Sequence, residues 1–366
     1  MLISKNKKKV FVGLSGGVDS SVSAYLLKKS GYDVTGVFIK AWHPDFLPCN
    51  WKNEMRDAMR VCAKLDIKFL LCDLSKEYKK EIIDYLINEY QIGHTPNPDV
   101  LCNKKIKFGG FLDWSIKKGA DFVATGHYVR NESIENEIGL FNAIDQEKDQ
   151  TYFLWTLNQR QISKILFPIG HLEKKEVRKI AARVKLNTAA KKDSQGLCFL
   201  GHVNMKSFLR RYIKTEKGDV LNTKGDVIGV HDGAELYTIG ERHGFTIFNN
   251  MNLKDSNYVI SKDMANNTIT VAENIIKSNE SKISKITLNK VSFVRDTFYE
   301  LVKKDELVIK FMIRYRGILH NGTLLFSGGK YIISSKEPIE RVANGQSIVI
   351  YQNKECLGGG IVENLA

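Results

Sequence analysis

The chain has 366 residues, 43% hydrophobic and 26% charged, with a formal net charge of +14. That length suits two or three soluble domains, and no apolar run is long enough to span a bilayer. The positive balance favours a polyanionic partner without naming a sequence, although a generally lysine-rich proteome gives the same balance.

The basic N-terminus leads directly into a strand, which argues against a cleaved secretory signal. The six cysteines, Cys49, Cys62, Cys72, Cys102, Cys198 and Cys356, form neither a close-spaced metal pair nor a dense disulfide framework. A reducing cytoplasmic location is expected, which leaves room for thiol chemistry.

Val10-Phe11-Val12 reads as a short buried strand, followed by Gly13-Leu14-Ser15-Gly16-Gly17-Val18-Asp19-Ser20-Ser21. Val18, Val22, Ala24, Leu26 and Leu27 then recur at helical spacing. A strand, a glycine turn and a helix start expose backbone amides and hydroxyls to phosphate oxygens. The loop has neither the lysine of a Gly-Lys-Ser/Thr phosphate loop nor the Gly-x-Gly-x-x-Gly spacing. Ser15 to Ser20 resembles the pyrophosphate loop of the ATP pyrophosphatase (PP-loop) family. Asp19 either coordinates magnesium or only caps and orders the turn.

Asp33–Lys40 reads as a second strand, 54–65 as a helix and Ile67–Cys72 as a third strand. Helical patterning resumes from 76 to 90, and Asp121–Thr125 is a further strand. The alternation predicts a mostly parallel sheet covered by helices, with ligands at the strands' C-terminal ends. Cys62 and Cys72 fit packing positions, while the role of Cys49 is open.

Two later segments carry reactive side chains. Asn97-Pro98-Asp99-Val100-Leu101-Cys102-Asn103 puts Asp99 and Cys102 one turn apart if it enters a helix. An aspartate that caps the helix above a packed cysteine is the alternative. Asp193-Ser194-Gln195-Gly196-Leu197-Cys198-Phe199 follows a helical stretch from 173 to 184. Separation in sequence does not establish that Cys102 and Cys198 meet.

Together with the phosphate loop, these segments closely resemble the bacterial tRNA-specific 2-thiouridylase family. Further matching stretches are Thr125–Tyr128, Lys148–Leu154 and Phe167–Leu172, and the likeness runs almost to the C-terminus. The resemblance implies adenylation of O2 of the wobble uridine in tRNAs for lysine, glutamate and glutamine. Sulfur transfer to C2 follows, with release of AMP and pyrophosphate. It implies ATP with magnesium, a cysteine desulfurase or sulfur relay as persulfide donor, no membrane partner and a monomeric enzyme. Cys198 is then the persulfide carrier, Cys102 its partner in a transient Cys102–Cys198 disulfide, and Asp99 a base or a contact to the target uracil.

The same resemblance places Gly13, Leu14, Ser15, Gly16, Gly17, Val18, Asp19 and Ser20 on ATP phosphates, with Ile39 and Gly126 flanking adenine. Asn97, Pro98, Asp99, His127, Lys148, Asp149, Gln150, Arg314, Tyr315 and Gln346 are the implied RNA contacts. Three departures from the family pattern stand out: Ile39 for methionine, His243 for lysine and Asn344 for proline. Structural alternatives compete with several of these: His127 as a hydrogen-bonded core residue, Lys148–Gln150 as a solvated loop and Ile313–Arg316 as a plain strand.

Beyond residue 208 the glycine-punctuated apolar runs predict a small β-rich domain, 208–280. From 282, strand-like runs at 286–294, 307–313, 329–334 and 347–351 predict a C-terminal β-barrel, 281–366, and Cys356 fits its packing. The catalytic domain is expected over 1–207. Competing functions are a thiolase acting at another base, an amidotransferase-like ligase using the same loop, and an RNA-binding adaptor without turnover.

Overall fold

A computed structural model describes residues 7–47, 51–193, 196, 198–201, 203–248, 257–273, 282–340 and 342–365. Cys49, Ser194, Gln195 and Leu197 lie outside the described residues.

The first sheet is built from β1 (Lys9–Gly13), β2 (Asp33–Lys40), β3 (Lys68–Asp73) and β4 (Phe122–Ala124). The hairpin β5 (Val129–Ile134) and β6 (Glu137–Asn142) leaves it before β7 (Ile165–Leu166) returns. Its order is β3-β2-β1-β4-β7, and every pairing is parallel. Apolar β-branched residues fill both faces of the inner strands, as a sheet covered by helices requires. Val10, Val12, Val34 and Phe38 join one core with Val22, Val61 and Val177. Phe11, Val37 and Ile39 belong to the core on the other face, with Ile82, Ile106 and Phe111.

The strand order reverses at β1, since β2 lies on one side and β4 on the other. The register pairs Val12 with Gly36 and with Ala124. The loops leaving β1 and β4 therefore emerge side by side at the switch point, where open α/β sheets hold ligands.

The second sheet contains β8 (Gly218–Leu221), β9 (Val227–His231), β10 (Thr246–Ile247), β11 (Tyr258–Asp263) and β12 (Thr268–Ala272). It runs in the order β10-β9-β8-β12-β11. The third comprises β13 (Lys282–Phe293), β14 (Leu307–Met312), β15 (His320–Ser327), β16 (Lys330–Glu340), β17 (Ser347–Gln352) and β18 (Glu355–Leu365). These six close into an antiparallel barrel through pairing of β13 with β18. Leu288, Phe311, Leu324, Ile333 and Ile350 fill its interior.

The chain is thus a parallel nucleotide-binding-type α/β sheet, a small β-rich unit and a β-barrel. The sequence did not disclose that β5 and β6 extend the barrel sheet. Glu355 and Cys356 at the start of β18 pair with Phe141 and Leu140 of β6. Only Val129, Gly139 and Leu140 of this hairpin are buried, so its sequence lacks a strong period-two pattern. Ile313–Arg316 is also not a strand: β14 ends at Met312, and Arg316 adopts φ +59° in the turn that follows.

Candidate active site

The helix Val18–Lys29 starts at the end of β1, and Gly17 occupies its N-cap with extended backbone. Its first amides lack intrahelical partners and point along the loop. Serines brace the turn: Ser15 N donates to Ser20 Oγ at 3.3 Å and Ser21 Oγ donates to Gly17 O at 2.7 Å. Gly16 has φ +71°, and a Cβ there would stand 2.6 Å from Glu54 O. Gly126 is equally tight: its Cβ would lie 2.6 Å from Ser20 N and 2.8 Å from Asp19 C. The close approach that bare Gly126 allows within the protein is thus between the β4 loop and the helix start. Ile39 is buried beside Gly13, on the β2 side of the loop.

Asp19 does not cap the turn. Both its carboxylate oxygens accept from Lys174 Nζ at 2.7 Å, and Oδ1 also accepts from Tyr128 Oη at 2.8 Å. Lys174 reaches Asp193 as well, at 2.8 Å. Asp193 further receives Lys148 at 2.9 Å and Arg178 at 2.8 Å. Burial works against the Asp193 charge, but hydrogen bonds from Lys174 and Lys148 prevail and hold its pKa down at about 2. This network joins the phosphate loop to the segment that leads into Cys198.

Asn97, not Asp99, caps the second site helix: its Oδ1 accepts from Val100 N at 3.2 Å, and Pro98 takes the first turn. Asp99 is left free to accept from Cys198 N at 3.2 Å. After Cys102 the helix widens into a π-helical stretch, Asn103–Phe111. Cys102 Sγ lies 3.1 Å from Cys198 Sγ, with Cys102 fully buried and Cys198 partly so. The Cys198 backbone is held from a third side, where Tyr78 Oη donates to its carbonyl at 2.6 Å. The two remote loops therefore do meet.

The two thiols share one environment unequally. Burial, followed by the hydrogen bond to Cys198, raises Cys102 well above an ordinary thiol. The hydrogen bond from Cys102 lowers Cys198 against burial, with Lys107 acting in the same direction. Cys198 is the more readily ionised thiol of the pair, with Cys102 placed to donate a hydrogen bond to it. Burial raises Asp99 above its usual range. A carboxyl whose pKa is raised at this position is suited to exchanging a proton.

His127 is 6% exposed and stands between Thr125 Oγ1, at 2.7 Å from Nδ1, and Lys107 Nζ, at 3.5 Å from Nε2. Burial and then Lys107 push its pKa well below the usual value, so it is neutral. Asp149 accepts from Ala143 N at 2.8 Å and Thr151 Oγ1 at 2.6 Å, while Gln150 Oε1 accepts from Tyr128 N at 3.0 Å. The Lys148–Gln150 turn is consequently built into the site wall and is not a solvated loop. Gln346 Nε2 donates to Thr95 O at 2.9 Å, fastening the barrel to the loop before Asn97. Arg314 pairs with Glu340 at 3.2 Å, and Tyr315 packs on Phe153 with ring centres 4.4 Å apart. Cys62, Cys72 and Cys356 are buried packing residues.

Lys107, Lys174 and Tyr78 were not singled out by sequence. Lys107 is five residues beyond Cys102, which a regular α-helix turns to another face but a π-helical turn brings round. Lys174 had a visible signal: a lysine in the first turn of a helix opposes the helix dipole and calls for a carboxylate from elsewhere. Among the described residues, no three His, Cys, Asp or Glu side chains converge as metal ligands.

A glycine-serine cradle at a parallel-sheet switch point, linked to two facing cysteines, defines a PP-loop α/β protein with a thiol reaction centre. Residues 8–202 match the sequence model of a "tRNA methyl transferase HUP domain". Residues 206–273 match a "tRNA methyl transferase PRC-barrel domain" and 283–362 an "Aminomethyltransferase beta-barrel domain". The tRNA-specific 2-thiouridylase MnmA of Enterococcus faecalis is 41% identical over 99% of this chain and 97% of its own length. Its counterparts in Bacillus licheniformis and Bacillus subtilis are 41% and 40% identical, each over 98% of this chain and 95% of their own. The chain belongs to the tRNA-specific 2-thiouridylase family of PP-loop proteins, a family of tRNA sulfurtransferases.

Proposed function

We propose that the chain is an ATP-dependent sulfurtransferase that makes 2-thiouridine at the wobble position of tRNAs for lysine, glutamate and glutamine. The observation that carries this is the 3.1 Å approach of Cys102 and Cys198, in a site tied to the glycine-serine loop through Lys174 and Asp193. The first two matching models carry methyl transfer in their names, but a sulfane-sulfur carrier with a resolving thiol uses both facing cysteines directly.

Uracil O2 is a poor leaving group. In the proposed first step O2 attacks the α-phosphorus of ATP, pyrophosphate departs, and the N3 proton passes to a base at the position of Asp99. The amides and hydroxyls from Gly13 to Ser20 would hold the phosphates, with Ile39 as the apolar neighbour of adenine. A magnesium ion would come with the triphosphate, because Asp19 is already engaged by Lys174 and Tyr128.

Cys198 would accept a sulfane sulfur from a cysteine desulfurase or relay protein and become a perthiolate. Its terminal sulfur attacks C2, AMP leaves with the former O2, and the tRNA is joined to Cys198 through an S–S bond. Cys102, its proton passed on to give a thiolate, attacks the Cys198 sulfur and breaks that bond. The products are 2-thiouridine, which regains its N3 proton, and a Cys102–Cys198 disulfide. The two electrons that reduce the sulfane sulfur come from the two thiols, so an external dithiol must reset the enzyme.

Asn97, Pro98, His127, Lys148, Asp149 and Gln150 would shape the wall on which the target base rests. Arg314, Tyr315 and Gln346, on the barrel side, would meet the anticodon arm, reading its shape and phosphates. The resolving role of Cys102 is tested with Cys102→Ser charged with sulfur and given tRNA and ATP. We expect a covalent protein–RNA adduct that dithiothreitol releases. Multiple turnovers by this variant without an adduct would remove the partner thiol from the mechanism.

A further inference from the structure

Lys107 reaches the thiol centre from the π-helical stretch, with its ammonium 3.5 Å from His127 Nε2. Among the described residues it has no carboxylate within ion-pair distance, unlike its neighbour Lys105, which pairs with Glu81 at 2.9 Å. The π-helical turn that starts after Cys102 brings Lys107 round to the side of that thiol, and Cys198 lies 3.1 Å from Cys102; the ionisable groups acting on the ammonium are these two thiols and Asp99. A partly buried ammonium with no paired carboxylate is costly unless an anion appears beside it.

We propose that Lys107 is a catalytic residue, the counter-cation that holds the sulfur on Cys198 as an anion, first as thiolate and then as perthiolate. His127 is the positioning residue for that cation. Its Nε2 lone pair accepts from Lys107, which leaves the Nδ1 proton to donate to Thr125 Oγ1 at 2.7 Å.

The groups around Cys198 divide consistently. Cys102 donates a hydrogen bond to its sulfur and Asp99 accepts from its amide. From the helix Ser75–Tyr78, the Tyr78 hydroxyl donates to its carbonyl; the loop after β4 brings the neutral His127. Lys107 is therefore the one cation among the groups named here as facing the sulfur. Burial works against its charge, but Cys198, Cys102 and Asp99 beside it more than compensate and raise its pKa. An ammonium suits the task because its charge is compact, and as sulfur moves from thiolate to perthiolate it can follow.

This rests on the sulfur-transfer reading for its purpose but not for its test, which needs neither ATP nor tRNA. The pH dependence of Cys198 alkylation by iodoacetamide is followed by peptide mass spectrometry in the full chain. In the wild type the midpoint should fall below the ordinary thiol value of about 8.5. Lys107→Met should raise it by roughly one unit, about a tenfold slower reaction at neutral pH. Lys107→Arg should restore most of the shift. Cys102→Ala separates the neighbouring hydrogen bond from the cation: with Lys107 intact, the midpoint should remain depressed.

A folded Lys107→Met protein with an unchanged midpoint would overturn the proposal. So would a Cys102→Ala midpoint at or above an ordinary thiol, even if Lys107→Met failed to fold. Sulfur transfer that persists alongside an unshifted midpoint would remove the role of Lys107 alone. The predicted shifts without any thiolation of tRNA would uphold that role and remove the function proposed for the site.

Discussion

Gly16 and Gly126 show how narrowly single residues set the phosphate cradle. An alanine at 16 would combine a left-handed backbone, φ +71°, with a Cβ 2.6 Å from Glu54 O. An alanine at 126 would press on the amide of Ser20, one of the groups we propose to face phosphate. We expect Gly126→Ala to cost about 1–3 kcal/mol of stability. It should weaken binding of a non-hydrolysable ATP analogue by at least tenfold, measured by titration calorimetry. Wild-type affinity in a folded variant would show that the loop tolerates displacement. The strand, glycine turn and helix start of this loop were legible in sequence, because they are local backbone signals. Asp19 was legible only as important: its engagement with Lys174 depends on a helix that begins more than 150 residues later.

Between the phosphate loop and the Cys198 segment, the connecting element is the helix Lys174–Arg183. Lys174 is 12% exposed and stands between the carboxylates of Asp19 and Asp193. Lys174→Met would leave two acids facing each other, and we expect a loss of about 2–4 kcal/mol in urea unfolding. Asp193 also gives this element a pH signature. Its folded-state pKa, about 2, lies below the ordinary 3.8. The stabilisation is fully present above about pH 4 and is lost as pH falls towards 2, on the order of 1–2 kcal/mol after screening. Asp193→Asn should flatten the acid limb of the stability profile over that window; an unchanged limb would show that Asp193 is not the linked group. The helices themselves were readable from their 3.6-residue period. The π-helical widening at Asn103–Phe111 was not, since nothing in an apolar pattern marks an i to i+5 turn. That widening is why the sequence pattern groups Asp99 with Cys102 but leaves Lys107 apart from them.

At the scale of the molecule, β18 joins what the sequence presents as separate units. It pairs with β17, with β13 to close the barrel, and at Glu355–Cys356 with the hairpin from the first domain. Arg295 braces the junction, 2.7 Å from Glu355 and 3.8 Å from Glu137. Trp155 is 1% exposed and would lie 3.0 Å from a Cβ on Gly359, so it reports on this seam. We expect the first domain and the barrel to unfold together, with coincident tryptophan-fluorescence and far-ultraviolet transitions. Arg295→Ala should shift both by about 2–4 kcal/mol; two separated transitions would mean that the seam does not couple them. The sequence pointed correctly to the parallel sheet, the β-rich middle and the barrel, because strand runs and glycine turns are local signals. It concealed the seam, because Glu137, Arg295 and Glu355 meet only after the barrel has closed.

We propose that ATP and the two cysteines act together to replace uridine oxygen by sulfur. The direct measurement gives purified enzyme, with Cys198 loaded as a persulfide, unmodified lysine tRNA and magnesium–ATP, followed by nucleoside mass spectrometry. We predict 2-thiouridine and equimolar AMP and pyrophosphate, abolished by Cys198→Ser and dependent on ATP. Demonstrably loaded enzyme that yields no 2-thiouridine, or a Cys198→Ser protein that still transfers sulfur, would contradict it.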